Sequence, residues 1–419
     1  MSTVLFIESY YHTERHFTRG FRVGAIRAGW RPEVVWLRDE RKQFRPAPEL
    51  AREIASHRPD LIMWIMDGVL PVAECLEADG VRAVPKVSMW FDDFERTAYI
   101  HRFTGKHRSL CARARLRTCV WDGYWRKQFK DRLSIPAYPI HLAADEVDYG
   151  PAEPTHFKGY DDSLIFIGNI PSREYLREQM ALLPLPCAQM LEQVGRVIAE
   201  SPYARLPYDA LAEVQAGLQP KSRKIVEHFR EDAGQDILVK RLAWMQGKRD
   251  VRLRILRLAA RQRQVVILSG HSERTFASAD ELTCDIGGSA CPVKFIATDH
   301  VPLHQIGCLY HIGGLHLQAT DPQSVEGGIP FRVFETTASG RPLLSDFKPE
   351  LAQCYKPGEE MLCYRDDRDF ADCLSQALHQ PELLRSVAEA GYRRFLAEHT
   401  WRNRFLQVAE AARSEGADA

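Results

Sequence analysis

Residues 328–346, GIPFRVFETTASGRPLLSD, carry the densest chemistry in the 419-residue chain. Gly327, Gly328 and Pro330 break any regular element, Phe331 to Ala338 reads as a helical start containing Glu335, and Gly340-Arg341-Pro342 stops it before a short apolar strand. A helix N-terminus offers backbone N–H groups and about half a positive charge, which suits a diphosphate. A carboxylate one turn further in can accept hydrogen bonds from ribose hydroxyls. Proton-moving groups stand elsewhere: His12, in the loop after the first apolar run, and Asp92-Asp93, at the end of VPKVSMWF. Each has a plainer reading, since a loop histidine often bonds locally and aspartates after a strand cap the next helix.

The elements that would position these residues alternate between strand and helix. Val4–Glu8, Glu33–Leu37, Asp60–Met66, Val84–Phe91, Thr118–Trp121 and Ala137–Leu142 read as strands, with helices at Phe17–Ala28, Ala47–Ser56 and Tyr124–Arg132 between them. DLIMWIM at 60–66 is apolar on both faces, which favours a parallel sheet. After a Pro- and Gly-containing linker (Pro151, Pro154, Gly159), SLIFI at 163–167 opens a second series. It resumes only at Val265–Leu268, and the hundred or so residues between read as helices, an unusually long connection. Val293–Ala297, Gly314–Ala319, the Glu335 helix and Arg341–Ser345 continue it, and helices at Phe370–His379, Pro381–Glu398 and Arg402–Ala412 close the chain.

Composition narrows the class. Hydrophobic residues at 45% and charged residues at 27% describe a soluble globular protein of two domains. No apolar run approaches the roughly 20 residues that span a membrane, and MSTVLFIESYY lacks the basic-then-apolar pattern of a signal peptide. Ten scattered cysteines without metal-ligand spacing read as reduced thiols, so the expected compartment is the cytoplasm. Lys+Arg and Asp+Glu both number 56, so the net charge is zero and gives no pull toward nucleic acid. Locally, 101–117 and 240–263 are basic, the second with nine basic residues against one acid. It reads as a solvated helix face, as arginines packed against a ligand site, or as a surface for anionic lipid.

Several motifs point to a family. RVFETTASGRPLLSDF (332–347), CYKPGEEMLCYRD (354–366), the helical run DFADCLSQALHQPELLRSVAEAGYRRFLAEHTWRNR and its EHTWRNR end (398–404) resemble glycosyltransferase group 1 proteins, most closely their CgeB-like branch. FIGNIPSRE (166–174), RLRILRLAARQRQVVILSG, KVSMWFDDFE (86–95) and PIHLAADEVDY (139–149) resemble further signatures of that family. The resemblance implies the α/β GT-B fold of two facing Rossmann-like domains: an acceptor-binding domain over 1–150, and a nucleotide-sugar-binding domain over 151–398 with a helical insertion at 172–263. A C-terminal helix over 399–419 would cross back to the first domain. The implied reaction moves a sugar from a nucleotide diphosphate sugar to a glycan, a lipid-linked saccharide or a protein, with no cofactor.

By the same resemblance Glu335 matches the glutamate that holds the ribose, with Thr336 and Thr337 facing the diphosphate. Arg332 would neutralise phosphate or order the loop, Gly168, Asn169 and Arg173 would form the loop approaching the donor, and Ser269-Gly270-His271 would lie near the base. Retaining members carry a second glutamate separated by seven residues from the first; that position is Gly327 here. Glu326 lies one residue further back and Gly328 one residue on. The stereochemistry stays open, and Asp92, Asp93 or His12 would serve as the general base of an inverting reaction. No acidic pair of the metal-binding kind lies in the donor half, so no metal is expected. Two alternatives share the fold: a GT-B epimerase or phosphorylase, and a noncatalytic sugar-nucleotide-binding coat-assembly protein. The location expected is cytoplasmic, with a possible peripheral association at the inner face of the membrane.

Overall fold

A computed structural model describes residues 1–8, 12–65, 69–91, 98–150, 159–200, 207–270, 275–286, 292–298, 301, 303–324 and 326–413, without the side chains of 12–16, 98–103, 199–200, 207 and 303–305. The chain forms two compact units, residues 1–145 with 326–329 and 397–419, and residues 146–325 with 330–396. Each is built on a six-stranded parallel sheet.

In the first unit β1 (Thr3–Glu8), β2 (Arg31–Trp36), β3 (Leu61–Ile65), β4 (Lys86–Trp90), β5 (Leu116–Val120) and β6 (Ala137–Pro139) lie in the order β2-β1-β3-β4-β5-β6. The helices are α1 (His12–Arg27), α2 (Ala47–Ser56), α3 (Glu74–Glu77), α4 (Ala98–Arg113) and α5 (Gly123–Leu133). β1, β3 and β4 are buried along their whole length, as their unbroken apolar runs require of strands covered on both faces. Lys86 stands out in β4: its Nζ donates to the carbonyls of Val81, Arg82, Val84 and Ala114 at 2.7–3.1 Å, which replaces the water a buried ammonium loses.

The second unit contains β7 (Leu164–Ile167), then α6 (Arg173–Ala181), α7 (Leu185–Glu200), α8 (Pro207–Gly217), α9 (Pro220–Arg230) and the 27-residue α10 (Ala233–Ala259) before β8 (Val265–Ser269). Side chains of Ser172 and Asp232 cap α6 and α10. α11 (Ala279–Ile286), β9 (Val293–Ala297), a 3-10 segment (Leu303–His311), β10 (Leu315–Gln318), α12 (Phe331–Ala338), β11 (Leu343–Asp346), α13 (Leu351–Cys354), β12 (Leu362–Tyr364), α14 (Asp367–His379) and α15 (Pro381–Glu398) follow. The strand order is β12-β11-β10-β7-β8-β9. β12 is an element the sequence reading did not separate from its surroundings.

The last helix, α16 (Trp401–Arg413), belongs to the first unit and packs on α1. A Cβ on Gly20 would overlap the Trp401 indole, and one on Gly24 its carbonyl, so bare backbone allows this crossing. The EHTWRNR motif locks it. Thr400 caps the helix by accepting from Asn403 N at 3.3 Å, and Arg404, 2% exposed, donates to Leu142 O at 2.9 and 3.1 Å.

Candidate active site

The second sheet runs outward from β7 through β8 and β9, then restarts on the other side of β7 with β10. Loops leaving the carboxyl ends of β7 and β10 therefore diverge, and such a reversal opens the crevice where α/β sheets bind ligands. Gly168-Asn169 leaves β7 there, and the segment leading into α12 leaves β10.

Gly168 has φ +150, and a Cβ on it would come within 3.0 Å of the Arg332 guanidinium, so only glycine lets this arginine lie against the loop. Arg332 also donates weakly to Gln318 Oε1, at 3.5 Å. Asn169 ties the first two strands together: its Oδ1 accepts from Ser269 Oγ at 2.8 Å and from Gly270 N at 3.1 Å. Gly168, Asn169, Ser269, Gly270 and Arg332 thus form one connected group. Arg173 is turned elsewhere; its guanidinium pairs with Asp285 at 2.9 Å, in a cluster with Arg249 and Glu281.

The sequence reading missed two cations that complete this group. Lys248 and Arg252, four residues apart on one face of α10, lie close enough to Arg332 for its charge to oppose theirs. Arg252 is 2% exposed; its Nη1 donates to Asn169 O, and its Nε has no hydrogen-bond partner among the described residues. Burial and Arg332 push its pKa down to about 9, against the opposing pull of Asp321 and Asp346. Lys248 pairs with Asp321 at 3.2 Å and stands 4.7 Å from the Trp244 ring centroid. Burial, opposed by Asp321 and helped by the two arginines, brings it to about 8. Gln318, 1% exposed, likewise has no partner for its Nε2 among the described residues. A buried guanidinium with two partly buried cations beside it, together with these two N–H donors, offers positive charge to an anion.

The signal for these residues was the basic stretch 240–263, and several of its cations have partners within the fold. Lys240 pairs with Asp236 at 3.0 Å, Arg249 with Glu281 at 2.9 Å, and Arg254 with Asp367 at 2.6 Å, while Arg257 donates to Asp285 O at 2.9 Å. The helix is packed among its neighbours, and these cations are used within the fold.

Glu335 lies in α12 as read, and the helix runs from Phe331 to Ala338 with no side-chain cap from Pro330 and no acid in its first turn. The carboxylate is 6% exposed and accepts from the Tyr310 hydroxyl through Oε2. Thr336 and Thr337, which the resemblance assigned to the diphosphate, follow Glu335 in the chain. Both are 2% exposed in the second turn, away from the free N–H end, and Thr337 Oγ1 is engaged by Val333 O, Phe334 O and Tyr355 OH at 2.8–3.1 Å. Glu326 and Gly328 fall in the first unit, where Glu326 pairs with Lys127 at 2.6 Å and Gly328 N donates to Trp121 O at 3.3 Å. Between them, Gly327 N donates at 3.0 Å to Asp122, which also caps α5. His12 begins α1, immediately after the β1 loop at the first sheet's own reversal between β1 and β3. Its side chain, and residues Asp92, Asp93 and His271, lie outside the described residues. Among the described residues no group of three or more His, Cys, Asp or Glu is arranged to hold a metal ion.

Residues 254–410 match the family model described as "Glycosyl transferase-like". The fold is that of GT-B enzymes. HepE from Anabaena, solved in complex with UDP, matches over 98% of this chain and 99% of its own at 10% identity and a TM-score of 0.57. Sucrose-phosphate synthase from Thermosynechococcus elongatus matches over 99% and 98% at 11% identity and 0.55, and a glycosyltransferase from Rickettsia africae over 98% and 97% at 9% and 0.55. No curated protein matches the chain significantly by sequence. Together they show a GT-B fold of two Rossmann-like domains, the second carrying a segment similar to glycosyl transferases.

Proposed function

We propose that this chain is a CgeB-like glycosyltransferase that moves a sugar from a nucleotide diphosphate sugar to a glycan, a lipid-linked saccharide or a protein, without a metal. The observation that carries this reading is the group of Lys248, Arg252 and Arg332, the second of them buried, at the reversal of the second sheet and in the same unit as Glu335. The diphosphate would sit against these cations and Gly168, with the ribose at Glu335. As the sugar–phosphate bond breaks, negative charge grows on the leaving diphosphate, and fixed guanidinium and ammonium groups stabilise it more strongly than the ground state. That role is the one a divalent cation fills in metal-dependent transferases. On the acceptor side, His12, Asp92 and Asp93 remain the candidates for taking the proton of the acceptor hydroxyl. The nine described cysteines are all free thiols, which suits a reducing cytoplasm. No helix among the described residues is long and apolar enough to cross a membrane.

The test is donor hydrolysis. Incubation with a panel of UDP-, GDP-, ADP- and dTDP-sugars should release the nucleoside diphosphate slowly from one of them, equally with and without EDTA. Formation of an epimer would favour an epimerase, and neither turnover nor binding would leave a noncatalytic protein. Activity abolished by EDTA would remove the metal-independent part of the reading.

A further inference from the structure

Glu335 is held by a partner of its own. Tyr310, in the 3-10 segment before β10, donates its hydroxyl proton to Glu335 Oε2, and the two side chains are almost wholly buried. The phenol cannot swing away. Its ring stacks on His316 with centroids 6.1 Å apart and planes within 9°, and Tyr149 meets it edge-on at 5.3 Å. His316 is itself pinned by Ile312 O, 3.0 Å from its Nε2, and burial lowers its pKa to about 3, so it adds no charge. The segment bearing Tyr310 is anchored too, since a Cβ on Gly307 would overlap the Asp148 carbonyl. Burial first, and the Glu335 carboxylate after it, push the phenol well above its usual range, so its hydroxyl stays a donor.

A carboxylate has two oxygens and about four acceptor sites. If it is free to rotate, it must be ordered again each time a ligand binds; with one oxygen fixed from inside the core, that cost is already met. We propose that Tyr310 is a positioning residue for the donor's ribose: it occupies Oε2 of Glu335 and so presents Oε1 to the ribose hydroxyls. The inference rests on the donor-site reading above, and its signature is discrimination between ribose and deoxyribose. It makes no claim on the diphosphate, which belongs to the cations.

Tyr310→Phe keeps the ring and its stacking and removes one oxygen. Titration calorimetry would compare wild type, Tyr310→Phe, Glu335→Ala and the double variant against UDP, GDP, ADP and CDP, then against the 2′-deoxy and 3′-deoxy forms of the tightest binder, and against inorganic pyrophosphate. Tyr310→Phe should weaken the ribonucleotide about tenfold, the worth of one hydrogen bond to a charged group. It should also erase most of the preference over the deoxy forms, leave pyrophosphate binding unchanged, and add nothing in the Glu335→Ala background. Undiminished ribose discrimination in Tyr310→Phe, or additive losses in the double variant, would overturn the positioning role alone. If wild type binds no nucleoside diphosphate better than pyrophosphate, the donor-site reading and this inference fail together.

Discussion

Arg252 makes two opposite demands on the protein, and replacing it with methionine separates them. Lowering its pKa from 12.5 to about 9 means that keeping the guanidinium charged in the folded chain costs on the order of 5 kcal/mol, at about 1.36 kcal/mol per pH unit. Its bond to Asn169 O returns about 1.5–3 kcal/mol. Methionine fills similar space without a charge, so the free protein should become more stable by roughly 1–3 kcal/mol, as when buried ions give way to apolar side chains. For 419 residues that corresponds to a melting temperature higher by about 1–3 °C. Ligand binding should change the other way. A lost charge-assisted contact to phosphate should weaken the nucleoside diphosphate that binds tightest in the panel above by about 10- to 100-fold, and the rise in melting temperature on adding it should shrink accordingly. Calorimetric titration and thermal melts with and without that nucleotide read both effects. If Arg252→Met lowers the melting temperature and leaves nucleotide affinity intact, the arginine is a strut for the β7 loop and holds no anion.

Other consequences can be measured with the same protein. Lys248, at about 8 in the folded chain and 10.5 by its ordinary value, should lose its charge as pH rises through 8, so affinity for the same nucleoside diphosphate should fall between pH 7.5 and 9. Stability should move oppositely, because between about 8 and 10.5 the unfolded chain holds the extra proton and deprotonation favours the fold; Lys248→Met should flatten both profiles, and a pH-independent affinity in wild type would refute the assignment. Gly24→Ala places a methyl group into the Trp401 carbonyl and should cost about 1–3 kcal/mol, with earlier proteolysis of α16; unchanged melting would show that the α1–α16 crossing can relax. Asp122→Ala removes the cap of α5 and the acceptor of Gly327 N, so a loss of about 1–3 kcal/mol is expected by chemical denaturation, and a change within 0.5 kcal/mol, the usual range for unconnected surface sites, would count against it.

Much of the fold is written in short-range pattern. The apolar runs at β1, β3, β4, β7 and β8 are buried strands, and α2, α12 and α15 begin and end where Pro, Gly and periodicity place them. Gly168, Asn169, Arg332 and Glu335 were visible because each sits beside such a boundary. Lys248, Arg252 and Tyr310 were not. A basic helix face looks alike whether it meets water, lipid or a ligand, and α10 lies some eighty residues from Gly168 in the chain. The same limit explains Thr337: a helical turn tells which residues share a face, and its hydroxyl was free to point at a ligand until Tyr355 came to meet it.

The sequence by itself determined the alternation of strand and helix, the break before α12, and the presence of a carboxylate one turn into it, because these depend on neighbours within a few residues. Tertiary structure alone decided the reversal of strand order beside β7, the gathering of Lys248, Arg252 and Arg332, and the phenol that holds Glu335. Three like charges gathered around a buried guanidinium are unfavourable in any local segment. They stay together only because strands and helices far apart in the chain, packed for their apolar faces, bring them to one end of one sheet.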